Sequence, residues 1–199
     1  MKLQTIFSAF AAAFMVAAFA AAPAEAHVIG TGPGGFAQGF AHPFGGLDHV
    51  LAMVAVGLWA AHLGGRARWL LPASFVAAMA VAGAAAMAGV TLPLIETAVA
   101  LSVVALGALI FARVRLPLAV GMALVGLFAV FHGHVHGTEA PLAAGLAYGI
   151  GLMAATATLH GIGLGVGVGV MRGRGEMPRL ASRLGGAAAI AAGAVLMVV

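Results

Sequence analysis

Cysteine is absent from the chain, and lysine, tyrosine and aspartate each occur once, as Lys2, Tyr148 and Asp48. Without cysteine there is no disulfide and no thiolate metal site. Charge is scarce: 7% of residues are Asp, Glu, Lys or Arg, where a soluble domain carries about 25%. No Walker sequence occurs, so the chain does not itself use ATP, and no H-E-x-x-H occurs, which removes the intramembrane metalloprotease pattern. Ser74 and Ser102 stand alone in the sequence, away from the polar clusters, so no nucleophile is assembled. The chain reads as non-enzymatic.

What remains is apolar: 63% of the 199 residues are hydrophobic and the mean hydropathy is +1.14. That composition describes an all-α integral membrane protein, with room for about five to seven spans at about 20 residues each. The first segment, "MKLQTIFSAFAAAFMVAAFAAAPAEA", places Lys2 before an apolar run and ends in Ala24-Glu25-Ala26, a small-x-small processing site. Residues 1–26 therefore read as a cleaved signal peptide. Residues 27–199 are left as one six-helix transmembrane domain, with His27 as the new N-terminus. A terminal amine beside an imidazole is able to chelate a divalent metal.

Six apolar segments follow, at about 46–63, 69–89, 92–112, 116–135, 141–170 and 184–199. Arg66 and Arg68 separate the first two, Arg113 and Arg115 the third and fourth, and Arg172, Arg174, Arg179 and Arg183 the last two. The other loops hold no Lys or Arg. Arginine in alternate loops is the positive-inside pattern, so both termini are expected outside. This pattern, and not nucleic-acid binding, accounts for the basic balance. Runs of small residues, such as Ala77–Ala86 and Gly185–Ala189, read as close packing between helices.

With direction fixed, depth follows from the rise of a helix. His49 lies 17 residues before Arg66, Glu96 17 before Arg113, and His132 17 after Arg115. All three sit about 25 Å from the arginines, in one layer near the outer face. Asp48 adjoins His49, and Met53 lies one turn deeper on the same face. His132 and His136 share a helix face while His134 points elsewhere; in an extended segment all three would align instead. Glu139 closes that run. His42 precedes a Pro43/Gly45/Gly46 turn that lets it fold back over the helix. His160 lies 12 residues before Arg172, about 18 Å from it. A straight helix from Glu139 to Arg172 would be about 50 Å long, too long for one span. The fifth segment must therefore break, begin late or tilt, with glycines at 145–151 and 161–169 as breakpoints. His62, four residues before Arg66, reads as a surface histidine at a helix end.

Ionisable side chains inside a membrane are rare and face a cavity or a partner. Imidazole with carboxylate suits nickel, cobalt, zinc, copper or iron, and a carboxylate beside a histidine orients its ring. "HPFGGLDH" at 42–49 and "FHGHVHGTE" at 131–139 resemble the two signature motifs of the HupE/UreJ family, hydrogenase and urease accessory membrane proteins. "AMVAVGLWA" at 52–60 and "TLHGIGLGVG" at 158–167 fit the same family. The resemblance implies a secondary permease of the bacterial inner membrane that admits Ni²⁺, or Co²⁺, for metalloenzyme assembly, with nickel chaperones downstream and no permanently bound cofactor. It also implies that His42, Asp48, His49, His132, His136 and Glu139 are functional, with His134 at a variable position. The competing reading is a membrane haem protein for electron transfer, with His49 or His132 paired with His160 as axial ligands.

Overall fold

The computed structural model describes residues 35–141 and 144–198; the expected signal peptide and His27 lie outside them. The described residues are helical, without strands. A short helix α1 (Phe36–Ala41) runs into a 3-10 turn, His42–Gly45. Six long helices follow: α2 (Leu47–Leu63), α3 (Ala67–Met87), α4 (Ile95–Phe111), α5 (Leu118–Thr138), α6 (Leu146–Met171) and α7 (Met177–Leu196). Each expected segment overlaps one of them. Helices α3, α5, α6 and α7 are long and apolar enough to cross a membrane alone. Helix α2 qualifies together with the leading α1 and turn, bent from it by 92°, and α4 is shorter at 17 residues. Large apolar side chains such as Trp69, Val81, Leu127 and Leu184 are exposed on the outside, as a bundle solvated by lipid requires.

Helix α2 is the centre. Nearly every residue from Leu51 to Ala61 is buried, so its apolarity is that of a core helix with no polar face to present. Helix α3, by contrast, buries the single stripe Leu71, Phe75, Met79, Ala82 and Ala86. Several of its alanines, Ala77, Ala80 and Ala84 among them, are exposed, while Ala82 and Ala86 are buried. Tight contacts come from glycine instead. A methyl added at Gly163 would lie 2.1 Å from the Val54 carbonyl oxygen, and one at Gly57 would lie 2.2 Å from that of His160. Backbones of α2 and α6 thus touch, as small residues permit in membranes. The same holds for α5 on α3, where a Cβ at Gly133 would meet the Met79 carbonyl at 2.2 Å.

The fifth segment resolves by beginning late. Its helix starts at Leu146, after Gly145 in extended conformation, and continues unbroken to Met171. Neither Gly149 and Gly151 nor the glycines of 161–169 interrupt it. At 26 residues it is about 39 Å long, one span with an extension.

Two contacts fasten the arginine-bearing end of the bundle. Trp59 Nε1–H donates to the Val114 carbonyl at 3.1 Å and His62 Nε2–H to that of Arg113 at 3.0 Å, tying α2 to the arginine-bearing α4–α5 loop. His62 is therefore not the surface histidine expected from its position: it is 9% exposed and fastens a loop.

The glycine contacts make a testable contrast. Gly163→Ala drives a methyl into the α2 backbone and is expected to cost about 1–3 kcal/mol. Gly165→Ala, where a methyl meets nothing within 4 Å, leaves stability unchanged. Thermal unfolding of the two variants in detergent reads the difference.

Candidate metal entrance at the histidine end

The turn after α1 determines where the site begins. Pro43 supports the 3-10 turn and Gly46, extended at φ −109° and ψ 120°, leads into α2. Side chains of the first turn fold back over Gly46. A Cβ there would lie 2.7 Å from both Asp48 Oδ1 and His49 Nδ1, so any larger residue would have to displace that pair. Asp48 Oδ1 accepts the backbone N–H of His49 at 2.7 Å and its ring Nδ1–H at 2.6 Å. A carboxylate accepts only, so this bond puts the proton on Nδ1 and leaves Nε2 as a lone pair. That Nε2 is buried and has no hydrogen-bond partner.

Helix α5 delivers the second motif, and it stays helical through Thr138. His132 and His136 accordingly lie on one face. Their rings stand 5.0 Å and 4.4 Å from that of His49, centroid to centroid. His42, folded over the mouth by the turn, puts its ring 5.0 Å from His136 and its Nε2 3.2 Å from Glu139 Oε2. His42, His136 and Glu139 each offer one donor atom, all within 4.8 Å of one another. Both ring nitrogens of His136 are buried without a hydrogen-bond partner. Glu139 is about half exposed and Asp48 and His42 about one-fifth exposed, so the group opens at the end of the bundle.

The remaining expected residues fall around this group. Glu96 lies exposed in the first turn of α4, within electrostatic reach of Asp48, Glu139 and His49. His134 points away, as expected, and its Nε2–H donates to the Val90 carbonyl at 2.9 Å. Met53 is fully buried in the apolar core. His160 is 1% exposed and stands 5.0 Å from the Phe75 ring, edge to face.

Three residues escaped the sequence reading. Ser102 does not stand alone: its hydroxyl donates to the Val99 carbonyl at 2.7 Å and lies 3.0 Å from His132 Nε2. With the hydroxyl proton committed to Val99, Nε2–H of His132 is the donor, and Nδ1 is left as a buried lone pair. Its signal was placement: Ser102 lies on the buried face of α4, between Val99 and Leu106. Tyr148, the single tyrosine, is 3% exposed with its ring 5.9 Å from His42. Phe75 touches both His132 and His160, and no pattern in a run of apolar residues marks it.

A lipid-facing helical bundle with buried imidazoles beside partly exposed carboxylates at one end defines a multi-pass membrane protein with a polar site at that end. Comparison with known proteins carries this further: the chain belongs to the HupE/UreJ family. The family model for HupE / UreJ protein matches residues 13–196. Protein HupE of Rhizobium leguminosarum bv. viciae is 45% identical over 180 residues, which is 89% of this chain and 93% of that protein. No solved structure matches the chain.

The division between His134 and its neighbours is testable. Removing its bond in His134→Ala is expected to loosen the 88–94 loop by about 1 kcal/mol. Hydrogen exchange would show faster amide exchange in that loop and unchanged protection in 47–63.

Proposed function

We propose that the chain is a secondary, ATP-independent importer of a divalent transition-metal ion, Ni²⁺ or Co²⁺, in the bacterial inner membrane. It supplies metalloenzyme assembly of the hydrogenase and urease kind and hands the ion to chaperones inside. One observation carries the reading: His42, His136 and Glu139 converge to within 4.8 Å, with the free Nε2 of His49 on the adjoining ring. Imidazole with carboxylate is the donor set of borderline divalent cations. Asp48 holds His49 in the tautomer that binds metal, and His136 enters with two uncommitted nitrogens. Glu96 adds negative charge at the rim, which draws a cation to the mouth.

All eight arginines fall at alternate connections between helices, with Arg68, Arg179 and Arg183 in the first two turns of α3 and α7, which supports six spans with both termini outside and the histidine end facing outward. An ion then meets the cluster before the membrane interior. The haem reading needs a macrocycle between His160 and His49 or His132. Phe75 lies against both His160 and His132 and would have to leave, whereas a single ion needs no such slot.

Uptake of labelled Ni²⁺ and Co²⁺ by cells lacking other nickel transporters tests the function. His49→Ala, Asp48→Ala, His136→Ala and Glu139→Gln are each expected to lower uptake about 10–100-fold; wild-type uptake by all four variants would sink the site. Purified protein is expected to lack a Soret band, and a bound haem would reverse the choice between the readings.

The cysteine-free chain also makes topology directly measurable. Single cysteines at Thr91 and Val198 are expected to react with an impermeant thiol reagent from outside. One at Glu176 reacts only after the membrane is opened, and the opposite pattern would invert the orientation.

A further inference from the structure

Below the mouth the helices carry no carboxylate. Residues 49–95, 97–138 and 140–175 contain neither Asp nor Glu. The buried polar side chains in the middle of the bundle are His132, Ser102, Thr156 and His160. Two of these are satisfied: Ser102 by Val99, and Thr156 by the Leu152 carbonyl at 3.0 Å, with Met79 Sδ at 3.8 Å. The other two are not. His132 keeps a free Nδ1, and His160 has no hydrogen-bond partner at either ring nitrogen. Leaving a buried polar group unbonded costs about 1–3 kcal/mol, and nothing on α6 near His160 compensates for it.

The two imidazoles are linked through one side chain. The Phe75 ring stands 5.6 Å from His132 at 53° and 5.0 Å from His160 at 86°. His160 lies deeper than His132 by about 7 Å, from their spacings to the arginines. The Phe75 ring stands beside His160, the backbone of α2 at Gly57 lies against its carbonyl, and the side chain is 1% exposed.

Resting on the transport reading, we infer that His160 is a second binding position for the ion, reached from His132 past the Phe75 ring, and that this carboxylate-free position selects borderline cations over hard ones. At the mouth the carboxylates also attract hard cations such as Mg²⁺ or Mn²⁺, which the imidazoles there hold more weakly than Ni²⁺. Past Phe75 the ion exchanges oxygen ligands for imidazole nitrogen. Nickel and cobalt bind imidazole well, whereas manganese and magnesium favour oxygen, and magnesium gives up its waters reluctantly. A hard cation entering the mouth therefore finds no second set of ligands and returns.

The test uses full-length protein, first in detergent for Ni²⁺ binding by equilibrium dialysis and then in proteoliposomes for uptake. Wild type is expected to bind two Ni²⁺ per chain, with one lost in His160→Gln and the other lost in Glu139→Gln. Nickel flux in His160→Gln falls about tenfold with external half-saturation unchanged within about twofold, because the mouth is intact. His160→Asp restores oxygen chemistry at depth, and its uptake of Mn²⁺ relative to Ni²⁺ rises about tenfold. A single Ni²⁺ in the wild type, or a wild-type Mn²⁺ to Ni²⁺ ratio in His160→Asp, overturns the inference. Should His160→Gln fail to accumulate, the wild-type count and His160→Asp decide the matter. A wild type that binds two ions but moves none overturns the transport reading and leaves the second position standing.

Discussion

The arrangement depends on helix backbones approaching closer than side chains normally allow. At Gly57 and Gly163 the α2 and α6 chains touch, with the carbonyls of His160 and Val54 where methyl groups would otherwise be. At Gly133 the α5 chain meets Met79 of α3. These contacts lie beside the polar residues: Gly133 follows His132 in sequence, and Gly57 abuts His160 itself. A third contact, Gly39 and Gly151 between α1 and α6, presses the leading helix onto the bundle beside Tyr148 and so holds His42 over His136. Within a bilayer there is no hydrophobic drive to bring helices together, and packing of this kind supplies the cohesion.

Given that frame, the chemistry follows from proton positions. Asp48 accepts the Nδ1–H of His49, and Ser102 accepts the Nε2–H of His132. Each imidazole is thereby left with one uncommitted lone pair facing its neighbours. His134 and His62 spend a proton on a loop carbonyl instead and belong to the scaffold. The same side chain thus has two uses, and the partner of its N–H decides which. Where the partner is a carboxylate or hydroxyl beside other imidazoles, the free nitrogen joins a cluster. Where it is a loop carbonyl, the histidine acts as a clamp.

Much of this was legible in the sequence. Arginine placement and apolar runs located all six long helices to within a few residues, apart from the two ends where a helix starts earlier or later. Helix α7 begins at Met177, because Pro178 is tolerated in a first turn and the arginines that follow extend the helix beyond its apolar part. The i, i+4 spacing offered His132 and His136 one face if the segment stayed helical, and the length of the fifth segment required a break, a late start or a tilt, of which the structure takes the late start after Gly145. What stayed hidden was lateral. Counting residues along a helix gives depth but says little about which neighbour a face meets, so the Ser102–His132 bond, the bridging place of Phe75 and the clamps made by His62 and His134 were out of reach. Depth alone also grouped Glu96 with His49 and His132, whereas it lies at the exposed rim.

The unsatisfied nitrogens connect the fold to its use. A resident structural metal is held by a closed ligand set with each ligand fixed by an outer partner. Here only His49 and His132 have such partners, while His136 and His160 have none. A set that is half fixed and half free binds less tightly and lets go more easily. The proposed transport would make that demand: binding must be favourable enough to enter and weak enough to leave. The same reasoning explains why Asp48 and Glu139 stay at the mouth. On the proposed transport reading, a carboxylate beside His160 would strengthen binding at depth but trap the ion there and remove the discrimination that bare imidazole would provide.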